Sequence, residues 1–195
     1  MKIIFATNNL HKLSEVRKAV PNDFTIVSLQ EMGFFDDIPE PHDTLEDNAL
    51  EKANVIYEKF GLNCFSEDTG LEIVALNGEP GVYSARYAGT QRSSSDNIDL
   101  VLQKLSQQTN RKAQFRTVIA LIWNNKRYLF EGIAPGTITN APSGSEGFGY
   151  DPIFVPDGHH KTFAQLSATE KNQLSHRGKA VRKLLTFLHD QSNEV

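Results

Sequence analysis

The sequence predicts a mixed-sheet α/β or α+β domain. Two observations carry this. Short apolar strand-like runs alternate with helical segments through the first half of the chain. In the second half, two long β-rich runs, residues 113–123 and 127–133, face each other across Asn124-Asn125 as a hairpin. Size adds a third: 195 residues, at roughly 150 per domain, favour one domain, 1–195, over two independent ones.

In chain order, residues 3–7 read as a short buried strand, and residues 12–20 as a helix stopped by Pro21. Residues 25–29 offer a second strand, and Pro39 and Pro41 make 38–43 a loop. Leu45, Ala49, Ala53, Ile56 and Phe60 recur at helical spacing, with Asp43 or Thr44 as N-cap and Gly61 as terminator. Residues 64–65 and 71–76 read as strands around a polar turn, Glu67-Asp68-Thr69-Gly70, and residues 77–81 as another turn. After the serines of 93–95, Ile98, Val101, Leu102 and Leu105 mark a helix. Residues 143–149 form a glycine-rich loop, and Val181, Leu184, Leu185 and Leu188 mark a C-terminal helix.

Composition excludes several classes. Hydrophobic residues at 39% and charged residues at 23% are ordinary for a globular chain, not a disordered or fibrous one. Twenty basic against 24 acidic residues give −4, which disfavours direct nucleic-acid binding. A small polyanionic substrate stays open, because local cations and metal ions override net charge. Cys64 is the single cysteine, so neither an intrachain disulfide nor a cysteine zinc site is available, and a reduced, cytoplasmic setting fits. The longest apolar run, residues 118–123, is too short to span a bilayer, and the N-terminus has no signal-peptide core; no membrane association is expected.

There is no phosphate-loop motif, no His-Glu-x-x-His helix and no Gly-x-Ser-x-Gly elbow. Gly144, Gly147 and Gly149 are spaced in reverse of a dinucleotide fingerprint and run into Asp151-Pro152, not a helix. What remains is a set of polar clusters at strand ends and turns, each with a plainer structural reading. Thr7-Asn8-Asn9-Leu10-His11-Lys12 leaves a strand and opens a helix, where free N–H groups and a lysine suit a phosphate; it also suits a simple cap. Glu40 and Glu67-Asp68 supply the carboxylates that a hard divalent cation wants, or they are surface acids. Residues 80–87 end in Arg86 between aromatics, either ligand-facing or a snorkelling side chain. Phe148, Gly149, Tyr150 and Asp151 combine close backbone approach with stacking rings, or form a tight turn over the core. Ser167 and Glu170 fit a capping box, and Lys171, His176 and Arg177 gather cationic donors nearby.

Taken together, these segments resemble the inosine/xanthosine triphosphate pyrophosphatase family, also called the deaminated-purine nucleoside triphosphate pyrophosphatases. Thr7-x-Asn9-x-x-Lys12, Glu40 ahead of Asn48-Ala49-x-x-Lys52-Ala53, Asp68-Thr69-Gly70-Leu71, residues 80–87, residues 147–152, and Lys171-Asn172 before Ser175-His176-Arg177-Gly178 occur in the family's order over essentially the whole chain. The resemblance implies an elongated two-lobed α/β fold with a central mixed sheet, a cleft between lobes, a homodimer and Mg²⁺. It implies hydrolysis of ITP, dITP and XTP to the nucleoside monophosphate and pyrophosphate, which keeps deaminated purines out of DNA and RNA. By the same resemblance, Asp68 is the general base and a metal ligand, and Glu40 a metal ligand. Lys12, Lys52 and Lys171 with Thr7, Asn8 and Asn9 hold the triphosphate. Phe148, Gly149, Tyr150 and Asp151 with His176 and Arg177 hold the purine, and Leu10, His11, Thr69 and Arg86 complete the substrate site.

Two positions depart from many relatives: Glu67 where they carry Asp, and Gln165 where they carry Glu. The first leaves open whether the metal shell has a second carboxylate. Two other readings compete: a pyrophosphatase for modified pyrimidine nucleotides, and a catalytically silent nucleotide-binding module. Residues 148–151 and 175–177 argue against the former. The company of Asp68, Glu40 and the lysines argues against the latter.

Overall fold

The chain runs β1 (Lys2–Phe5), α1 (Leu10–Ala19), β2 (Thr25–Ser28), α2 (Leu45–Phe60), β3 (Cys64–Ile73), β4 (Pro80–Gly81), α3 (Ser94–Lys104), β5 (Lys112–Trp123), β6 (Lys126–Ile138), β7 (Phe154–Pro156), α4 (Ala168–Leu174) and α5 (His176–Asn193), with single 3-10 turns between some elements. This computed structural model describes residues 2–21 and 23–193; the outer bounds of the expected domain, residues 1 and 195, lie outside them. The strands form one sheet in the order β2-β1-β3-β5-β6-β7, with β4 paired to β3. β2 and β3 run parallel to β1, whereas β4 and β7 are antiparallel to their partners, so the sheet is mixed as the sequence predicts. Among the described residues, no helix is long and apolar enough to cross a membrane.

The chain divides into two compact units. The first takes residues up to 68, 117–132, and 177 onward; the second takes 69–116 and 133–176. In the first, Ile3, Phe5 and Phe65 pack with Leu13 and Val16 of α1 and with Val181, Leu184 and Leu188 of α5. The Phe5 and Phe65 rings stack at 4.5 Å and 8°. α2 covers the other face. There the Cys64 thiol donates to the Ala53 carbonyl at 3.4 Å, and the Ser66 hydroxyl donates to the Ala49 carbonyl. Side chains alternate across a strand. Phe65 and Glu67 therefore look toward α1 and α5, while Cys64, Ser66 and Asp68 look toward α2. In the second unit, Leu71, Ile73, Phe115, Ile138, Phe154 and Phe163 pack with Ile98 and Val101 of α3 and with Leu105, which caps it.

Local signals fixed several elements where the sequence puts them. Thr44 caps α2 by accepting from the Asp47 N–H, and Gly61 ends it at φ 64°. Asn124 and Asn125 sit at φ 48° and 62°, the backbone that a two-residue hairpin turn requires. Elsewhere the structure corrects the reading. Glu67-Asp68-Thr69-Gly70 is no turn: β3 passes straight through it, because buried cations receive the carboxylates and the strand need not reach solvent. Gly70 lets β4 approach, since a Cβ there would lie 2.7 Å from the Gly81 carbonyl oxygen. Strand pairing stops at Ile73, and Val74–Leu76 is a 3-10 turn; Pro80–Gly81, read as turn, forms β4. α1 starts at Leu10, not Lys12, because Asn9 caps it. β6 continues to Ile138, where it pairs with the unpredicted β7, too short for any pattern to reveal.

Phe65→Ala removes a fully buried ring from the first core, and should cost about 3–5 kcal/mol of unfolding free energy in urea titrations while leaving the far-ultraviolet circular dichroism native at zero urea.

Candidate active site

The site begins where β1 ends. Asn9 Oδ1 accepts from the backbone N–H groups of His11 and Lys12 at 3.0 and 3.1 Å, and Thr7 Oγ1 accepts from the Asn9 N–H at 3.1 Å. Asn8 Nδ2 donates to the Asp36 carbonyl at 3.0 Å, and Asn8 Oδ1 is buried with no hydrogen-bond partner among the described residues. Thr7 and Asn8 are half-buried, whereas Asn9, Leu10 and His11 are exposed at the mouth of α1. A polar turn feeding a helix N-terminus presents its donors and its dipole to an anion.

On the α2 side of β3, Lys52 Nζ donates to Glu40 Oε1 at 2.6 Å and to Asp68 Oδ1 at 3.3 Å. Burial would lower the Lys52 ammonium, but Asp68 and Glu40 outweigh it and hold the group above its ordinary value. Burial pushes Asp68 up, against the pull of Lys52 and Lys12. Asp68 is 5% exposed, and its Oδ2 is buried with no hydrogen-bond partner among the described residues. A buried carboxylate oxygen left in this state calls for a cation or a proton donor. Among the described residues no group of three or more His, Cys, Asp or Glu could hold a metal alone. Asp68 Oδ2 with Glu40 matches instead the sparse donor set that Mg²⁺ takes when substrate phosphates and waters complete its shell.

On the opposite face, Arg177 of α5 grips Glu67. Nε donates to Oε2 at 2.7 Å and Nη2 to Oε1 at 2.8 Å, a bidentate pair. Arg177 Nη1 donates to Glu15 of α1, and Lys12 Nζ lies 3.0 Å from Glu67 Oε1. Burial would raise Glu67, but Arg177 and Lys12 hold its carboxyl far below the usual range. Burial would lower Arg177, but Glu67 and Glu15 raise it. The motifs named Lys12 and Arg177. They did not name Glu15, whose only sequence signal is its place three residues after Lys12 on α1, on the same helix face. Arg177, expected at the purine, has its guanidinium seated on Glu67 and Glu15.

The second unit gathers the remaining candidates. Asp151 Oδ2 accepts from the Phe148 backbone N–H at 2.8 Å and from Lys171 Nζ at 2.6 Å, and Lys171 Nζ lies 5.1 Å from the Phe148 ring centroid. Phe148 and Gly149 are half-buried beside this pair. Tyr150 donates its hydroxyl to the Ser84 carbonyl at 2.8 Å, and burial pushes its phenol up; its ring belongs to the core. His176 stacks on Phe115 at 4.5 Å and 15°. Arg86 lies 5.4 Å from the Tyr83 ring centroid, and Thr69 is half-buried on β3. Gln165 Oε1 accepts from the Thr162 N–H at 2.9 Å, closing a capping box that Gln serves as well as Glu does. Lys12, Lys52, Glu40, Asp68, Glu67 and Arg177 thus come together in the first unit, and residues 148–151, Lys171 and His176 in the second.

These features define a mixed α/β protein in which lysines and carboxylates gather around one buried, half-satisfied aspartate. Residues 3–187 match the Ham1 family, and the chain belongs to it, in agreement with the resemblance carried by its motifs. It is 52% identical over 187 residues to a dITP/XTP pyrophosphatase of Flavobacterium psychrophilum, covering 96% of this chain and 98% of that one. It is 51% identical over 188 residues to the dITP/XTP pyrophosphatase of Flavobacterium johnsoniae, covering 96% and 98%. The solved Ham1 protein of Staphylococcus aureus superposes with a TM-score of 0.88 at 38% identity, covering 98% of this chain and all of that one.

Because Glu67 ionises more readily folded than unfolded, its contribution to stability is present above the ordinary carboxylate range and is lost as pH falls toward its depressed folded value. Arg177→Met leaves that carboxylate short of its main partner and should cost about 3–5 kcal/mol at pH 7 in urea unfolding, a deficit that narrows below about pH 4 as Glu67 protonates.

Proposed function

We propose that this chain is a nucleoside triphosphate pyrophosphatase that hydrolyses ITP, dITP and XTP to the monophosphate and pyrophosphate, using Mg²⁺. The observation that carries the reading is Asp68: buried, held at Oδ1 by Lys52, and with Oδ2 lacking a partner beside Glu40. The relatives named dITP/XTP pyrophosphatase support the substrate class.

In this reading Lys52 fixes Asp68 so that Oδ2 alone faces the reaction. Oδ2 takes a proton from water as the water oxygen bonds to the α-phosphorus. The bond from that phosphorus to the oxygen bridging the β-phosphate breaks, and pyrophosphate leaves with the electron pair. Lys12, Lys52 and Lys171, with Thr7, Asn8, Asn9 and the α1 N-terminus, receive the phosphate charge. Asp68 and Glu40 would hold Mg²⁺, which when bound neutralises phosphate oxygens and acidifies a bound water. Phe148, Gly149, Tyr150, Asp151 and His176 would form the purine side, with Leu10, His11, Thr69 and Arg86 lining the remainder; Arg177, whose guanidinium is bound by Glu67 and Glu15, is left out of it. A donor facing C6 pairs with the keto oxygen of inosine and xanthosine but is opposed by the amino group of adenine, and such a buried mismatch discriminates strongly. Guanine shares that oxygen, so its rejection falls on the 2-amino group. The enzyme would act as a cytoplasmic homodimer, with 1–195 as one catalytic domain and no direct contact to nucleic acid, removing deaminated purines before polymerases use them.

Pyrophosphate release is to be measured with Mg²⁺ across ITP, XTP, GTP, ATP and dTTP. ITP and XTP should exceed ATP and GTP in kcat/KM by about a hundredfold or more, and Asp68→Asn should lower ITP turnover by about 10²–10⁴ with binding kept. A flat profile, or an active Asp68→Asn, would overturn the reading.

A further inference from the structure

We propose that Glu67 is a positioning residue that holds the Lys12 ammonium for the phosphates through a buried Arg177 strut, and not a second metal ligand. The inference rests on the pyrophosphatase reading of Asp68 and assigns its neighbour in sequence a different task.

Three observations carry it. Glu67 and Asp68 are consecutive on β3, and consecutive strand residues face opposite sides of a sheet. Asp68 looks toward Lys52 of α2, and Glu67 toward Lys12 of α1 and Arg177 of α5. Next, the Glu67 side chain is fully buried and both of its oxygens already receive cationic donors: Oε2 takes Arg177 Nε, and Oε1 takes Arg177 Nη2 and Lys12 Nζ. A metal ion would have to evict a bidentate guanidinium to reach it, whereas Asp68 Oδ2 has no partner among the described residues to evict. Finally, the strut closes on itself. Arg177 also binds Glu15, which sits one turn beyond Lys12 on α1, so α1, β3 and α5 are tied at one point next to the ammonium.

Lys12 is the open cation of this ring, its side chain 16% exposed against 2% for Arg177 and none for Glu67; the other partly open member, Glu15 at 15%, is an acid and would not receive phosphate. An ammonium has three N–H donors in a freely rotating head on a four-carbon stem. Anchoring one donor on Glu67 fixes the head before a ligand arrives and leaves donors for phosphate oxygens. The rotamer freedom that a loose lysine would lose on binding is lost already in folding. The task is thus to preorganise charge on the ligand side of α1, with the guanidinium as counterweight that keeps the carboxylate ionised in the interior.

The test uses full-length Glu67→Gln, Glu67→Asp and Lys12→Met. It combines calorimetric binding of imidodiphosphate, a non-hydrolysable stand-in for the leaving group, with ITP kinetics over a Mg²⁺ series. Glu67→Gln should weaken imidodiphosphate and raise KM for ITP by about tenfold, with kcat changed less than about threefold and the half-activating Mg²⁺ concentration unmoved. Glu67→Asp keeps the charge and should recover most of that loss. Glu67→Gln placed on Lys12→Met should add little, because the effect runs through the lysine. A rise in half-activating Mg²⁺ with KM unchanged would make Glu67 a metal ligand and overturn the inference. So would Gln outperforming Asp, which marks a packing role, or a wild type that fails to bind imidodiphosphate. Should Glu67→Gln not fold, the Mg²⁺ series on Glu67→Asp decides: an unmoved half-activating concentration supports the inference, and a raised one with KM unchanged overturns it. A wild type that binds imidodiphosphate yet releases no pyrophosphate from any triphosphate would refute the pyrophosphatase reading while the binding arm still tests Glu67.

Discussion

A guanidinium and a carboxylate share a dry interior only if each satisfies the other, since either alone would cost several kcal/mol to bury. Glu67 and Arg177 meet that condition with two parallel hydrogen bonds, and Glu15 and Lys12 complete the charge balance around them. Because this cluster exists, β3 can carry a pair of acids through the centre of a sheet without bending outward. The strand between β1 and β5 would otherwise break at the acidic pair, and the position of Asp68 with it.

The period of two along β3 then sorts the two acids by task. The face toward α1 and α5 holds a saturated ion network, in which every partner adds rigidity. The face toward α2 holds Asp68 with one oxygen pinned and the other unsatisfied. An unsatisfied buried oxygen is a standing cost to the fold, and such costs gather where chemistry is done. The saturated ion network and the half-satisfied aspartate are adjacent in the chain yet on opposite faces of one strand.

How far the sequence could be read follows from the range of the forces involved. α2 and the β5–β6 hairpin were legible because their signals are local: the Thr44 cap, Gly61 and the apolar stripe of the one, Asn124-Asn125 in the other. The candidate site residues were legible as types at spacings, and most lie beside one another within their own unit. β3 was not legible as one strand, since Glu67-Asp68-Thr69-Gly70 has the composition of a turn and its justification lies elsewhere. Arg177 is 110 residues away in sequence, and nothing near Glu67 announces it. Glu15 was missed for the same reason, and the role of Gln165 became plain only once Thr162 was seen to begin a 3-10 turn.

That separation also bears on how the molecule is made. The first unit is assembled from three stretches of chain, interrupted twice by the second. As a ribosome extends the polypeptide, Glu67 emerges 110 residues ahead of the guanidinium that neutralises it. Until then the nascent strand carries an ionised acid into a core that lacks Leu184 and Leu188 as well. The second unit can close its apolar contacts earlier in translation than the first, so vectorial synthesis and spatial order run against each other. Pairings of such long sequence separation slow folding.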